Sequence, residues 1–399
     1  MIHICFSLYD KVGSFSKFIG TAMLSLFENT SAQVTVHILH DDTLTQDNRE
    51  KFFRLAEGCG QLVKFYNVEE FCADKIAEIR NFFPNIDKSI FSVAMFYRFF
   101  IPHIFPAEIK KAIYLDADII VNLDINELWQ VELGDQPLAV ILEIDNGTPI
   151  LKYSNMLRDG VVKEENYFNS GVLLINLEVM RKEESNIMAG MKFVGEHPIY
   201  NLVDQEILNY CFETRTLKLP VKFNRMVKES RNNGVFFIGK EIYHYAGGRF
   251  GLSLKMSDPY NRLWWSYFIR TPWFGVDTLD CIFKGATDCV IQMSFVPHGK
   301  SRVFIVDEAY AYQIERNFSV RDAEEIVVVN TESEYSLRNL MELMNASRDK
   351  KIFFIGIQNI DQRLKDSGFV EGKDFFNVCE FYSPVWSNRV NNHNLILSM

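Results

Sequence analysis

Ala112-Ile113-Tyr114-Leu115-Asp116-Ala117-Asp118-Ile119-Ile120-Val121 is the stretch on which the reading of this chain turns. Four mostly apolar residues run straight into two acids one residue apart, and apolar residues resume at once. Buried anions are costly unless paired or bound to metal, so a core strand does not ordinarily end this way. At a strand end both carboxylates can face one hard divalent cation. Mg2+ and Mn2+ both take carboxylate and phosphate oxygens, and the spacing does not choose between them. A solvated turn in which Asp118 caps a helix is the plainer alternative, and the apolar run before the acids counts against it.

Upstream, Ile2–Leu8, Val34–Leu39 and Gln61–Phe65 read as strands, and Phe15–Phe27 and Asp47–Leu55 read as helices between them. Strand alternating with helix predicts a mostly parallel sheet covered by helices, with ligands beyond the strand ends. Ser92 is placed to cap a helix over Val93–Ile101, which Pro102 should end. Downstream, strands are expected at Leu138–Leu142, Gly171–Leu177 and Glu241–Tyr245, and a helix at Asp204–Cys211. The first domain should close after the aromatic helix around Trp264, Trp265, Tyr267 and Phe268. The pattern then starts afresh: Val290–Phe295, Arg302–Val306, Ile326–Val329 and Lys351–Ile355 as strands, Tyr335–Met344 and Gln358–Lys365 as helices. The division expected is residues 1–274 and a small α/β unit over 275–399, with a frayed end at Asn388–Met399.

The chain has 399 residues, too long for one ordinary core. Its formal net charge of −10 disfavours nucleic acid as a partner. An anionic nucleotide remains compatible if a local cation serves it. The seven cysteines include no CxxC pair and read as free thiols in a reducing compartment. No stretch of 18 apolar residues suggests a membrane span, and Met1–Phe6 reads as strand, not as a signal peptide. The expectation is a cytoplasmic protein, with peripheral association at the inner face of the cell membrane left open. Its oligomeric state is not indicated.

Five segments in order carry a resemblance. They are Ser92-Val93-Ala94-Met95-Phe96-Tyr97-Arg98-Phe99, Asp116-Ala117-Asp118, Tyr167-Phe168-Asn169-Ser170-Gly171, Asp204-Gln205-Glu206-Ile207-Leu208-Asn209 and His244-Tyr245-Ala246-Gly247. Together residues 1–270 resemble the retaining glycosyltransferases of family 8, which include bacterial lipopolysaccharide galactosyl- and glucosyltransferases and glycogenin. The resemblance implies a GT-A-type, Rossmann-like nucleotide-sugar domain. It implies Mn2+ or Mg2+ held by Asp116, Asp118 and His244, and a UDP-hexose donor. Gln205, Asp204, Glu143 and Asn169 would then lie at the transferred sugar, Glu143 standing where the family has an Asp. Arg98 would contact the donor and a neighbouring acid, and Gly247 would let backbone approach the diphosphate.

Two departures follow from the same comparison. The family's N-terminal loop often reads Asp-(Asp/Glu)-Asn-Tyr, whereas this chain has Ser7, then Tyr9-Asp10-Lys11-Val12. Ser7, Tyr9 and Asp10 would still face the nucleotide, with selectivity for uracil less secure. The family's Lys-Pro-Trp after the late His is replaced by Gly248-Arg249-Phe250-Gly251, so Arg249 is expected to neutralise diphosphate. The function expected is retaining hexosyl transfer to a glycan or lipid-linked saccharide. The alternatives are a degenerate sugar-nucleotide or glycan binder, and an interaction role within 275–399. Trp264-Trp265 and Tyr310/Tyr312 read as packing, and the lone Gly356 does not make a nucleotide-binding turn.

Overall fold

The computed structural model describes residues 1–11, 13, 15–84, 86, 92–246, 258–276, 278–279, 300–307, 325–329, 333–357 and 360–377. The chain divides into two compact units, Met1–Phe274 and Gly275–Met399. The sequence expectations for Gly247, Arg249, Val290–Phe295, Tyr310, Tyr312 and Asn388–Met399 lie outside the described residues.

The first unit is a mixed α/β structure. Its strands are β1 Ile2–Leu8, β2 Val34–His40, β3 Leu62–Asn67, β4 Lys111–Leu115, β5 Ile119–Val121, β6 Leu138–Leu142, β7 Phe168–Asn176, β8 Thr216–Lys218, β9 Arg225–Met226 and β10 Ile242–His244. Seven form one sheet in the order β3-β2-β1-β4-β7-β6-β8. The neighbours β3, β2, β1 and β4 are parallel to one another, and β6 is parallel to β8. Every residue of β2 is buried, as expected where helices cover both faces of a parallel sheet. Helix Ser16–Asn29 buries eleven of its residues, Phe18, Ile19 and Leu26 among them.

Strand β7 is antiparallel to both β4 and β6. That reversal organises the site. The start of β7 lies beside the carboxyl ends of its neighbours: Leu115 pairs with Val172, and Leu142 with Phe168. Asp116 N donates to Gly171 O at 2.8 Å, and Glu143 N to Tyr167 O at 3.0 Å. The residues leaving β4 and β6 therefore meet Asn169-Ser170-Gly171. A second sheet, β5-β10-β9, pairs Ile119 with His244 and His244 with Met226. It carries His244 to the acid pair.

Helices also differ from the sequence reading. Val93–Phe100 is a 3-10 helix, capped by Ser92 Oγ accepting from Ala94 N at 3.3 Å. Pro102 does not stop the chain there. It sits in the first turn of a short α-helix, Ile101–Ile104, where its missing N–H leaves no bond unmade. Helix Val68–Phe82, unforeseen, carries Val68, Cys72, Ile76 and Ile79 inward at helical spacing. Trp264 and Trp265 are buried and meet edge to face, 5.4 Å between centroids.

The second unit has a parallel sheet in the order β12-β11-β13-β14, from β11 Ser301–Asp307, β12 Glu325–Val329, β13 Lys351–Gly356 and β14 Phe375–Asn377. Helices Glu334–Ser347 and Asp361–Asp366 add Leu340, Met344 and Leu364 to a core with Ile305, Phe353 and Phe375. No helix among the described residues is long and apolar enough to cross a membrane.

Candidate active site

Asp116, Asp118 and His244 come together with ligand atoms within 4.8 Å of one another. His244 Nε2 lies 3.1 Å from Asp118 Oδ1 and 3.9 Å from Asp116 Oδ2. The backbone fixes this approach, because Tyr245 N donates to Asp118 O at 2.9 Å. Two carboxylates and an imidazole form a donor set suited to a divalent cation. The imidazole is only 2% exposed. Burial acts to lower its pKa, but Asp118 and then Asp116 outweigh that and hold it above the ordinary value.

Room for this cluster depends on Gly171. A Cβ there would overlap His244 Cε1 and stand 2.8 Å from Asp116 Oδ2. The glycine is thus set by a close approach of side chains, not by a turn.

Arg98, on the 3-10 helix, ties the acids together. Its guanidinium donates to Asp116 Oδ1 at 2.9 Å and to Ser170 O at 2.9 Å, and pairs with Asp204 Oδ2 at 3.0 Å. It also lies 4.3 Å from the ring centroid of Tyr114, whose hydroxyl donates to Asp116 Oδ1 at 2.9 Å. Burial acts against the Arg98 charge, and Asp204, Tyr114 and Asp116 together more than restore it. Asp204 is pushed above the ordinary carboxylate value by burial, against the pull of Arg98.

Next to the acids lies a knot of amides. Gln205 Oε1 accepts from Asn169 Nδ2 at 2.9 Å and from Ser170 N at 3.1 Å. Asn169 Nδ2 also donates to Glu143 Oε1 at 3.0 Å. Glu143 is 3% exposed, and its Oε2 has no hydrogen-bond partner among the described residues. A buried carboxylate oxygen left unpaired is costly, which marks this as a place where a ligand group is wanted. Helix Val203–Phe212 presents Asp204 and Gln205 from its first turn. Asn209 on the same helix holds it to β7, accepting from Phe168 N and donating to Phe168 O, both at 2.9 Å.

Four carboxyls, Asp116, Asp118, Glu143 and Asp204, thus gather at this site, and Arg98 pairs with two of them, Asp116 and Asp204. Such a site attracts cations, and it would need one before it could hold a diphosphate.

The N-terminal residues behave differently. Ser7 closes β1 near Tyr114, and Tyr9 is half-buried against the core. Asp10 does not join the cluster. Its carboxylate accepts from Phe15 N at 2.6 Å, Ser16 Oγ at 2.5 Å and Asn48 Nδ2 at 2.8 Å, and the residue is 1% exposed. It secures the start of helix Ser16–Asn29.

One residue had no signal in the sequence. Asn224 Oδ1 lies 2.9 Å from His244 Nδ1, and its Nδ2 donates to Asn169 Oδ1 at 2.9 Å. It is the partner a metal-binding imidazole ordinarily has on its second nitrogen. A cleft of about 480 Å3 opens elsewhere in this unit, between Asn146, Arg225, Phe237 and Lys240, and its lining includes none of the acid–histidine cluster.

A mostly parallel sheet with an acid pair, a late histidine and sugar-sized polar side chains at its carboxyl edge defines a GT-A-type nucleotide-sugar fold. The chain belongs to glycosyl transferase family 8, whose model matches residues 6–248. It is 23% identical over 284 residues to the General stress protein A of Bacillus subtilis (strain 168), covering 65% of this chain and 91% of that one. It is 28% identical over 209 residues to a Lipopolysaccharide 1,2-glucosyltransferase of Escherichia coli, covering 51% and 57%. Against a probable glycosyl transferase Gly of Streptococcus gordonii it is 29% identical over 45% of this chain and only 25% of the relative. The fold is that of the galactosyltransferase LgtC, solved with donor and acceptor sugar analogues. The TM-score is 0.54 and the identity 19%, over 69% of this chain and 98% of that one.

Proposed function

We propose that this chain transfers a hexose, galactose or glucose, from UDP-hexose to a hydroxyl of a glycan or lipid-linked saccharide, with retention of anomeric configuration. The observation that carries the reading is the juxtaposition of two units. One is the Asp116–Asp118–His244 donor set, and the other is the Glu143–Asn169–Gln205 knot beside it. Residues 1–274 are the catalytic domain in this reading, and residues 275–399 an accessory unit.

Asp116, Asp118 and His244 would hold Mn2+ or Mg2+, whose chemistry is to neutralise charge on the departing diphosphate. Arg98 keeps Asp116 oriented and compensated. Arg249 and Gly247 are assigned to the diphosphate, and Ser7 and Tyr9 to the nucleotide end, whereas Asp10 is committed to the start of helix Ser16–Asn29. Glu143, Asn169, Asp204 and Gln205 orient the sugar. Retention through a covalent intermediate needs a carboxylate in the right place, as retaining hydrolases use. Asp204 is engaged by Arg98 and Glu143 by Asn169, and Gln205 is an amide and a poor nucleophile. The favoured route therefore has acceptor and UDP on one face of an oxocarbenium-like sugar, a donor phosphate oxygen taking the acceptor proton. The protein would act in the cytoplasm, where peripheral association at the inner face of the cell membrane would bring it to a lipid-linked acceptor.

The decisive assay offers UDP-galactose and UDP-glucose with Mn2+ and a pool of glycan acceptors, and follows UDP release and product anomer. Asp118→Asn should abolish metal-dependent UDP binding in calorimetry while leaving the fold intact. Tight UDP binding with no release from any donor would favour the degenerate binder that the altered N-terminal loop allows. An inverted product would overturn the mechanism.

A further inference from the structure

The amides at the site form a chain whose direction can be deduced. Backbone N–H groups can only donate. Ser170 N reaches Gln205 at 3.1 Å, so the atom facing it is the carbonyl oxygen Oε1. Gly171 N reaches Asn169 at 2.9 Å, so that atom is Oδ1. Asn169 then turns its Nδ2 to Gln205 Oε1 at 2.9 Å and to Glu143 Oε1 at 3.0 Å. Its Oδ1 has one further neighbour, Asn224, 2.9 Å away, which must present its Nδ2. The remaining end of Asn224 is Oδ1, an acceptor, and it faces His244 Nδ1 at 2.9 Å. His244 Nδ1 must therefore carry the proton. Its Nε2 faces Asp118 Oδ1 at 3.1 Å, and once deprotonated it is the nitrogen that would meet a cation there. Amide orientations and imidazole tautomers are ordinarily matters of assignment. Here two backbone donors fix them.

Two consequences follow. Gln205 Oε1 is occupied by two donors, so its Nε2 is the end turned to Glu143 Oε1, at 3.4 Å. And one residue, Asn224, joins the metal side of the site to its sugar side. Asn224 itself is fully buried, and its backbone carbonyl is held by Asn146 Nδ2 at 2.8 Å.

We propose that Asn224 is a positioning residue with two separable tasks: its oxygen locks His244 in the Nδ1–H tautomer for metal binding, and its amide nitrogen orients Asn169 and through it Gln205. The second task rests on the retaining-transferase reading above, and the first does not.

The two ends of the side chain can be separated by substitution. Asn224→Asp keeps an acceptor for His244 and loses the donor to Asn169, whereas Asn224→Ala loses both. Removing the outer partner of a metal-binding histidine typically costs ~10–100-fold in affinity. Calorimetric titration with Mn2+ alone should show that loss in Asn224→Ala, and affinity at or above wild type in Asn224→Asp. UDP-hexose hydrolysis by Asn224→Asp should fall ~10-fold or more in kcat with KM little changed, as expected for a contact that matters at the reacting sugar. Nitrogen NMR of the His244 ring in the wild-type protein, recorded above the imidazole's titration, should show the proton on Nδ1.

A proton on Nε2 would overturn the proposal, as would an Asn224→Ala protein of unchanged melting that binds Mn2+ like wild type. If Asn224→Ala does not fold, the NMR result and Asn224→Asp still decide. Wild-type kcat in Asn224→Asp would refute the coupling to the amides. Metal titration and NMR need no donor sugar, so an inactive wild-type protein would count against the transferase reading alone.

Discussion

Gly171 is the residue whose replacement most directly tests the geometry of the site. Because a Cβ would overlap His244 Cε1 and crowd Asp116 Oδ2, Gly171→Ala must move one ligand away from the others. Mn2+-dependent UDP binding should fall ~10-fold or more while far-UV circular dichroism stays unchanged, and wild-type affinity by calorimetry would refute this crowding. A second residue reports on stability. His37 is fully buried between His3 at 3.0 Å and Tyr66 Oη at 3.1 Å, and burial, then His3, then Lys64 lower its pKa to about 3. The unfolded chain takes up that proton near the ordinary histidine value. Stability from His37 is therefore complete above about pH 6.5 and is lost as pH falls towards 3, by up to about 1.4 kcal/mol per pH unit. His37→Gln retains a donor and an acceptor without titrating, so its denaturation midpoint should decline less steeply between pH 6.5 and 4. An identical slope would show that other groups govern the acid limb. At this scale the acid–histidine cluster was readable, because Asp116 and Asp118 follow an apolar run and His244 belongs to a recognisable late motif. Asn224 was not, since an asparagine between Phe223 and Arg225 has no pattern around it, and its role exists only once β9 lies against β10.

Elements explain why Asp10 reads so differently in sequence and in structure. A polar residue just after a strand suggests a ligand contact. Asp10 instead secures helix Ser16–Asn29, where the Ncap residue Phe15 has no side-chain oxygen to offer. Asp10→Ala should cost about 1.5–3 kcal/mol by losing charge-assisted bonds to Phe15 N, Ser16 and Asn48. Chemical denaturation measures this, with Mn2+-dependent UDP affinity expected to stay within ~3-fold of wild type. A large loss of UDP affinity at unchanged stability would return Asp10 to the nucleotide. Strands with long apolar runs were legible, among them β1, β2, β4, β6 and β7. The three-residue β8 and two-residue β9 were not, being too short to show alternation. Nor was the reversal of β7: eight of its nine residues are buried, and a strand buried on both faces carries no mark of its direction. Helix Val68–Phe82 was missed although Asn67 caps it and its apolar spacing is helical, so there the signal was present in the chain.

On the scale of the whole molecule, every described residue assigned to the site belongs to Met1–Phe274. Among the described residues the sheet pairings also close within that unit, since β1–β10 pair with one another. A chain ending at Phe274 should therefore fold and retain metal-dependent UDP-hexose hydrolysis within ~3-fold of the full chain. The position of the cut matters. Trp273 fills the space over Gly20, where a Cβ would overlap its ring, and lies 4.7 Å from the Phe52 ring centroid. Its Nε1 donates at 2.8 Å to Asn48 Oδ1, and Asn48 Nδ2 in turn donates to Asp10. Ending the chain at Phe268 would remove this side chain, open a cavity between helices Ser16–Asn29 and Gln46–Gly58, and release the brace on Asp10. Trp273 is half-buried, so its loss should cost less than the about 3–5 kcal/mol of a fully buried aromatic. The 1–268 chain should accordingly unfold at clearly lower denaturant than 1–274, while 1–274 keeps the Mn2+ and UDP affinities of the full chain. If 1–274 is folded and binds UDP with Mn2+ but has lost hydrolysis, residues 275–399 contribute to catalysis, and their description as an accessory unit is wrong. If hydrolysis survives and only transfer to added glycan is lost, the second unit acts on the acceptor.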